Sequence, residues 1–147
     1  MVFPANVAVT GLEIVRDALA GAGLSLTPAV NLFMADEPDD ITDPAGCSVL
    51  LTEFDGVPAL TMGTPIAIEN QMVQVKVRGD AEDYTTPKDL AARIRYTLVA
   101  KGEHTTRSVR VLGITPVGGI LALGRDSRER PEFTVNVNVA WEPPYAY

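Results

Sequence analysis

Cysteine and histidine are almost missing from this chain, with one of each at Cys47 and His104. A lone cysteine excludes an internal disulfide, and one cysteine with one histidine cannot make a zinc set of the usual spacing. The two could in principle form a nucleophile–base couple, but neither sits in a recognisable motif. Cys47, beside Gly46, reads as a small buried residue, and His104 as a surface residue in the turn between a helix and a strand. Aromatics are scarce at 6%. A carbohydrate or small-molecule binding module would want a cluster of them, and only Trp141, Tyr145 and Tyr147 stand close together. No apolar run approaches the roughly 18 residues of a membrane span. No basic residue precedes the first apolar stretch, MVFPANVAVTGLEIV, so it is a poor signal peptide and synthesis in the cytoplasm is expected. A phosphate-cradling loop is also missing, because Gly21-Ala22-Gly23 follows a helix instead of opening one. Basic excess is absent too: the net charge of −7 argues against holding nucleic acid electrostatically.

What remains is ordinary globular material. The 147 residues, 46% of them hydrophobic, suit a single domain (1–147) with a sizeable core. The pattern is read best from the end. Phe133, Val135, Val137, Val139 and Trp141 alternate with Thr134, Asn136, Asn138 and Ala140, as a half-buried strand requires. Two amides on the polar face can each donate and accept, so Asn136 and Asn138 read either as solvated or as touching another subunit. A second half-polar strand runs Met72–Arg78, where Val73, Val75 and Val77 alternate with Gln74, Lys76 and Arg78 and Gly79-Asp80 ends it. Further strands are expected at Ala29–Ala35 around Val30, Leu32 and Met34, and at Ser48–Phe54. Others follow at Arg107–Ile114 and Ile120–Leu123.

Two helices complete the set. Leu12, Val15, Leu19 and Ala22 recur at helical spacing, Thr10 with Glu13 has capping-box form, and Asn6 is a competing start. In the second helix Thr86 is expected at the N-cap, Pro87 at the first turn, and Leu90, Ala91, Ile94 and Leu98 on the apolar stripe; Gly102 ends it. The order predicts an α+β fold, a mostly antiparallel sheet with both helices packed on one face.

Two charged stretches remain. Asp36–Asp43 holds five carboxylates in eight residues. Pro38 and Ile41 interrupt the alternate-oxygen ladder of a hard-cation loop. A solvated loop is the better reading, with a metal-dependent hydrolase as its alternative. The knot Arg125-Asp126-Ser127-Arg128-Glu129-Arg130 mixes both signs and has no aromatic stacking partner for nucleic acid. Arginine forks suit a protein contact. A solvated loop of local ion pairs is the equal alternative.

The half-polar strand before the capped helix, and the ending Leu-Gly-Arg-Asp-Ser-Arg-Glu-Arg-Pro-Glu-Phe-Thr-Val-Asn-Val, resemble the tail terminators of long-tailed bacteriophages. These are also known as tail-completion or minor capsid proteins. Leu123, Gly124, Asp126, Arg130, Phe133 and Asn136 match the family's pattern, from which Pro131 departs. The resemblance is carried by Gln71–Trp141. It implies a virion structural protein without enzyme activity or cofactor. Its copies form a ring, usually a hexamer, at the head-proximal end of the tail. Its partners are then itself, the tail tube protein and the head–tail connector, with DNA passing through the ring. The residues expected at such contacts are Gln74, Lys76, Arg78, Arg125, Asp126, Arg128, Arg130, Asn136 and Asn138.

Overall fold

The computed structural model describes residues 9–35, 47–54, 60–61 and 66–142. The possible helix start at Asn6, the acidic stretch Asp36–Asp43, the turn at Asp55-Gly56, the residues Pro58, Gly63 and Pro65, and the tyrosines Tyr145 and Tyr147 lie outside the described residues.

Helix α1 (Gly11–Ala20) opens as the sequence predicts. The Glu13 carboxylate accepts the Thr10 backbone N–H at 2.9 Å and also the Thr10 hydroxyl. Partial burial pushes the Glu13 carboxyl up, but these hydrogen bonds outweigh it and hold the group below the usual carboxylate range. Ile14, Val15, Ala18 and Leu19 are the buried face. Ala22 lies past the helix and is exposed.

Strand β1 is shorter than expected, Leu32–Met34. The cause is Asn31, whose side-chain oxygen accepts the Thr27 N–H at 2.6 Å and whose amide donates to the Ser25 carbonyl at 2.9 Å. That side chain fixes a turn over Thr27–Asn31, so Val30 is left 54% exposed outside the strand. Strand β2 (Ser48–Phe54) has the expected bounds. After β3 (Leu60–Thr61), strand β4 runs from Ile66 to Arg78, well before the Met72 at which alternation becomes visible.

Helix α2 (Thr85–Lys101) starts earlier than Thr86, and its cap is different. Asp83 accepts the Thr86 N–H at 3.0 Å and the Thr86 hydroxyl at 2.5 Å, so Thr86 is the capped residue and not the cap. Gly79 lets the end of β4 approach the helix start: a Cβ there would stand 2.5 Å from a Pro87 ring carbon. After Gly102 come β5 (His104–Thr106) and β6 (Val109–Pro116), which make a hairpin through Arg107 and Ser108. His104 is therefore in a strand, not in a turn. Arg107 belongs to the hairpin turn, where its guanidinium bonds the Asp17 carboxylate at 2.7 and 3.1 Å. Burial raises the Asp17 carboxyl, and the bonds from Arg107 and Thr106 more than reverse that.

Strands β7 (Leu121–Arg125) and β8 (Pro131–Trp141) end the described chain. The sheet order is β1-β2-β4-β8-β6-β5, with β3 on β4 and β7 on β8. Among the described strands β1–β2 is the one parallel pair and the others are antiparallel, while Pro28 also makes an isolated parallel bridge to Leu32. Strands β6 and β7 follow one another along the same flank of β8, β6 beside Val137–Trp141 and β7 beside Pro131–Thr134. A bulge in β6 after Val111 resets its alternation, so Ile114 joins Val109 and Val111 in the core.

The expected face of β8 is buried: Phe133, Val135, Val137, Val139 and Trp141. Val73, Val75 and Val77 of β4 pair with Val137, Val135 and Phe133 on that side. Both helices cover it with Ile14, Val15, Leu19, Ala91, Ile94 and Leu98. Each fully buried aliphatic chain contributes about 1.5–3 kcal/mol. The fold is α+β, a mostly antiparallel sheet with its helices on one face.

Candidate partner interface

The charged knot is the tip of the β7–β8 hairpin, closed by the pair Arg125 and Pro131. Asp126 organises it. One carboxylate oxygen accepts the backbone N–H groups of Arg128 and Arg130, both at 2.9 Å. The other takes Nε of Arg130 at 2.8 Å and its Nη2 at 2.7 Å. Burial raises the Asp126 carboxyl, but Arg130 and the two amides overcome that and hold it below the usual range. Arg125 reaches outward from the hairpin to the Ala81 and Glu129 carbonyls, each at 2.7 Å. The tip is thus an ordered loop tied to the segment before α2. Pro131 fits it as the first residue of β8, where its carbonyl accepts the Gly79 N–H at 3.0 Å.

This divides the residues expected at contacts. Arg130 is 9% exposed and Arg78 7%, so both are largely packed within the subunit. The reason for Arg130 is its fork on Asp126, which also occupies that carboxylate. Arg125 and Arg128 stay exposed at the tip. Gln74, Lys76, Asn136 and Asn138 share the sheet face away from the helices, half-buried. Gln74 is opposite Asn136, and Lys76 forms an ion pair with Glu132 at 3.2 Å. The Asn138 amide donates to Asn70 at 3.2 Å. The carbonyl oxygens of Asn136 and Asn138 and the Thr134 hydroxyl are enclosed without a hydrogen-bond partner among the described residues. Neighbouring side chains on the same face partly enclose these two amides.

Catalytic geometry is lacking where the sequence offered its one couple. Cys47 precedes β2 near one edge of the sheet and His104 opens β5 at the other. Three strands intervene, on the order of 19 Å at the usual strand spacing. The His104 Nδ1 is instead 2.9 Å from the Gly102 carbonyl. Among the described residues no three His, Cys, Asp or Glu side chains gather as a metal site. Two surface clefts hold about 190 Å³, beside Cys47 and α2, and about 280 Å³, beside β1. Both fall short of the roughly 300–1,000 Å³ of small-molecule pockets.

The exposure of strand β7, expected as a strand at Ile120–Leu123, is the feature that the sequence does not reveal. All five of its residues are exposed, Leu121 and Leu123 at 53% each. The apolar run Ile120–Leu123 gives no sign of it; only its neighbour Gly124, at φ +91°, betrays an irregular edge.

No protein-family model matches the chain, and no curated protein sequence matches it. Solved structures do. A chain in the virion of a native gene transfer agent particle superposes with a TM-score of 0.68 at 22% identity. The match covers 95% of this chain and 99% of that one. The fold is shared. A second solved chain, 13% identical with a TM-score of 0.52, matches over the same shares of the two chains.

Proposed function

We propose that this chain is a structural protein of a phage-like virion and not an enzyme. More narrowly, it is a tail terminator, whose copies form a ring that closes the finished tail tube and offers the surface for the head. The observation that carries the reading is the match, nearly end to end in both chains, to a protein of a gene transfer agent virion. The tail-terminator assignment adds the residues Leu123, Gly124, Asp126, Arg130, Phe133 and Asn136, which fit that family's ending and here build one ordered hairpin. Head-to-tail contacts between identical copies close into a ring when the rotation permits. Six copies is the number the family implies. Its partners are the tube protein and the connector, and its place is the head-proximal end of the tail.

The test pairs light scattering after size exclusion with electron microscopy of particles carrying a tagged copy. A ring in solution or on tails, with label at the junction of tail and head, is the expected outcome. Particles complete without the protein, or label elsewhere on the virion, would overturn the assignment.

A further inference from the structure

Strand β7 offers an open edge, whereas β1, at one end of the sheet order, is sealed. In β1 the Leu32 N–H donates to the Thr27 carbonyl at 3.3 Å, and the Leu32 carbonyl accepts the Ala29 N–H at 2.9 Å. Pro28 bridges the same residue. On β7 the outward groups follow from the alternation along β8, where successive residues direct their backbone groups to opposite flanks. The Pro131 carbonyl accepts the Gly79 N–H on the β4 flank, and the Asn136 carbonyl accepts the Val117 N–H on the flank of β6 and β7. Pairing of β4 with β8 is unbroken from Glu132 to Trp141, so Thr134 shares the flank of Asn136. Leu121, the partner of Thr134, therefore directs its backbone groups to β8. Ala122 then turns its N–H and C=O away from the sheet, and so does Ile120 in an extended chain. Among the described residues no backbone group bonds Ala122 from that outer side, and its side chain is exposed.

We propose that β7 pairs with β7 of a second copy, antiparallel, about a two-fold axis at Leu121. In that register Ala122 and Ile120 of one copy exchange N–H···O=C bonds with Ile120 and Ala122 of the other, and the two Leu121 residues face each other. The occupant is a copy of this chain because the edge is self-complementary under that axis. Its outward donors and acceptors lie symmetrically about Leu121, and no charged residue occurs from Val117 to Gly124 to select an acidic or basic partner. The two Arg125 side chains fall at opposite ends, about 27 Å apart along the strands at about 3.4 Å per residue, so like charges are not opposed. Leu121 and Leu123, each 53% exposed, gain cover from the second copy. The stretch also lacks the lysine or proline that ordinarily protects an open strand. A two-fold contact closes on itself, so it is separate from the head-to-tail contacts of a ring and does not rest on them.

Two cysteine variants test the register. Leu121→Cys places two thiols in a non-hydrogen-bonded cross-strand pair, with Cα atoms about 4.5 Å apart and within disulfide range. Leu123→Cys starts from equal exposure but leaves its two thiols about 14 Å apart along the strands, out of range. Under mild oxidation Leu121→Cys should give a covalent dimer, and nothing larger, at least tenfold faster than Leu123→Cys. The unaltered chain, whose Cys47 is buried, should give none. Leu121→Lys sets two ammonium groups face to face and should weaken the dimer at least tenfold in sedimentation over a range of concentrations, with the melting temperature kept. Equal linking by the two cysteine variants, a ladder of larger multimers, or no dimer from Leu121→Cys would overturn the contact.

Discussion

Asp126 does more for this molecule than any arginine around it. Its carboxylate gathers two backbone amides and the Arg130 fork, so Asp126→Ala should cost about 2–3 kcal/mol in urea melts, as hydrogen bonds to a charged group do. Arg128→Ala, at the exposed tip, should cost well under about 1 kcal/mol. The pH dependence has a definite sign. A carboxyl whose pKa is lowered by folding stabilises above its unfolded value, near 3.9, and loses that contribution as pH falls through the folded value. The stability gap between the native chain and Asp126→Asn should therefore be constant from pH 7 to about 5 and shrink in stronger acid. A gap that widens in acid would contradict the direction assigned to Asp126. Replacing Arg125, Arg128 and Arg130 together is consequently not a clean probe of partner contact, because Arg130 is part of the fold.

Among the elements, the strands with strict alternation were the most legible. Val73, Val75, Val77 and the odd residues of β8 are buried as their period-two spacing demands. Val137→Ala should cost about 2 kcal/mol by leaving a cavity, and Asn138→Ala less, measured by denaturant melts. Sequence failed where a side chain overrode the pattern. Asn31 made a turn out of an apparent strand, and Asp83 took the cap that Thr86 was expected to supply. Strand β7 is legible as a strand but its exposure is not, for another reason: apolar content signals burial only when something is there to cover it, and alternation does not reveal a sheet's edge. Its conformation has a separate test. Gly124→Ala puts a side chain at φ +91° and should cost about 1–3 kcal/mol, loosening the hairpin without touching the valine core.

For the whole molecule, charge and apolar edges pull in opposite directions. In the proposed ring each copy would bring a net charge of −7 and repel its neighbours. Repulsion between exposed charges is screened within about 10 Å at 0.1 M salt and within about 30 Å at 0.01 M. Association should therefore strengthen on going from the lower to the higher ionic strength, a trend that sedimentation would register directly. The opposite trend would mean that ion pairs, not apolar strand edges, hold the copies together.

The division of one flank of β8 between β6 and β7 has a consequence for how the molecule breathes. Strand β6 is held from the helix side by α2, whereas the packing of β7 is against β8. Amide protons of β7 should exchange with solvent deuterium well before those of β6, since their opening needs no disturbance of the core. The chain can then loosen Leu121–Arg125 while Val109–Pro116 remains closed. The free flank of the hairpin can thus shift its seat on β8 without unfolding the sheet that carries it.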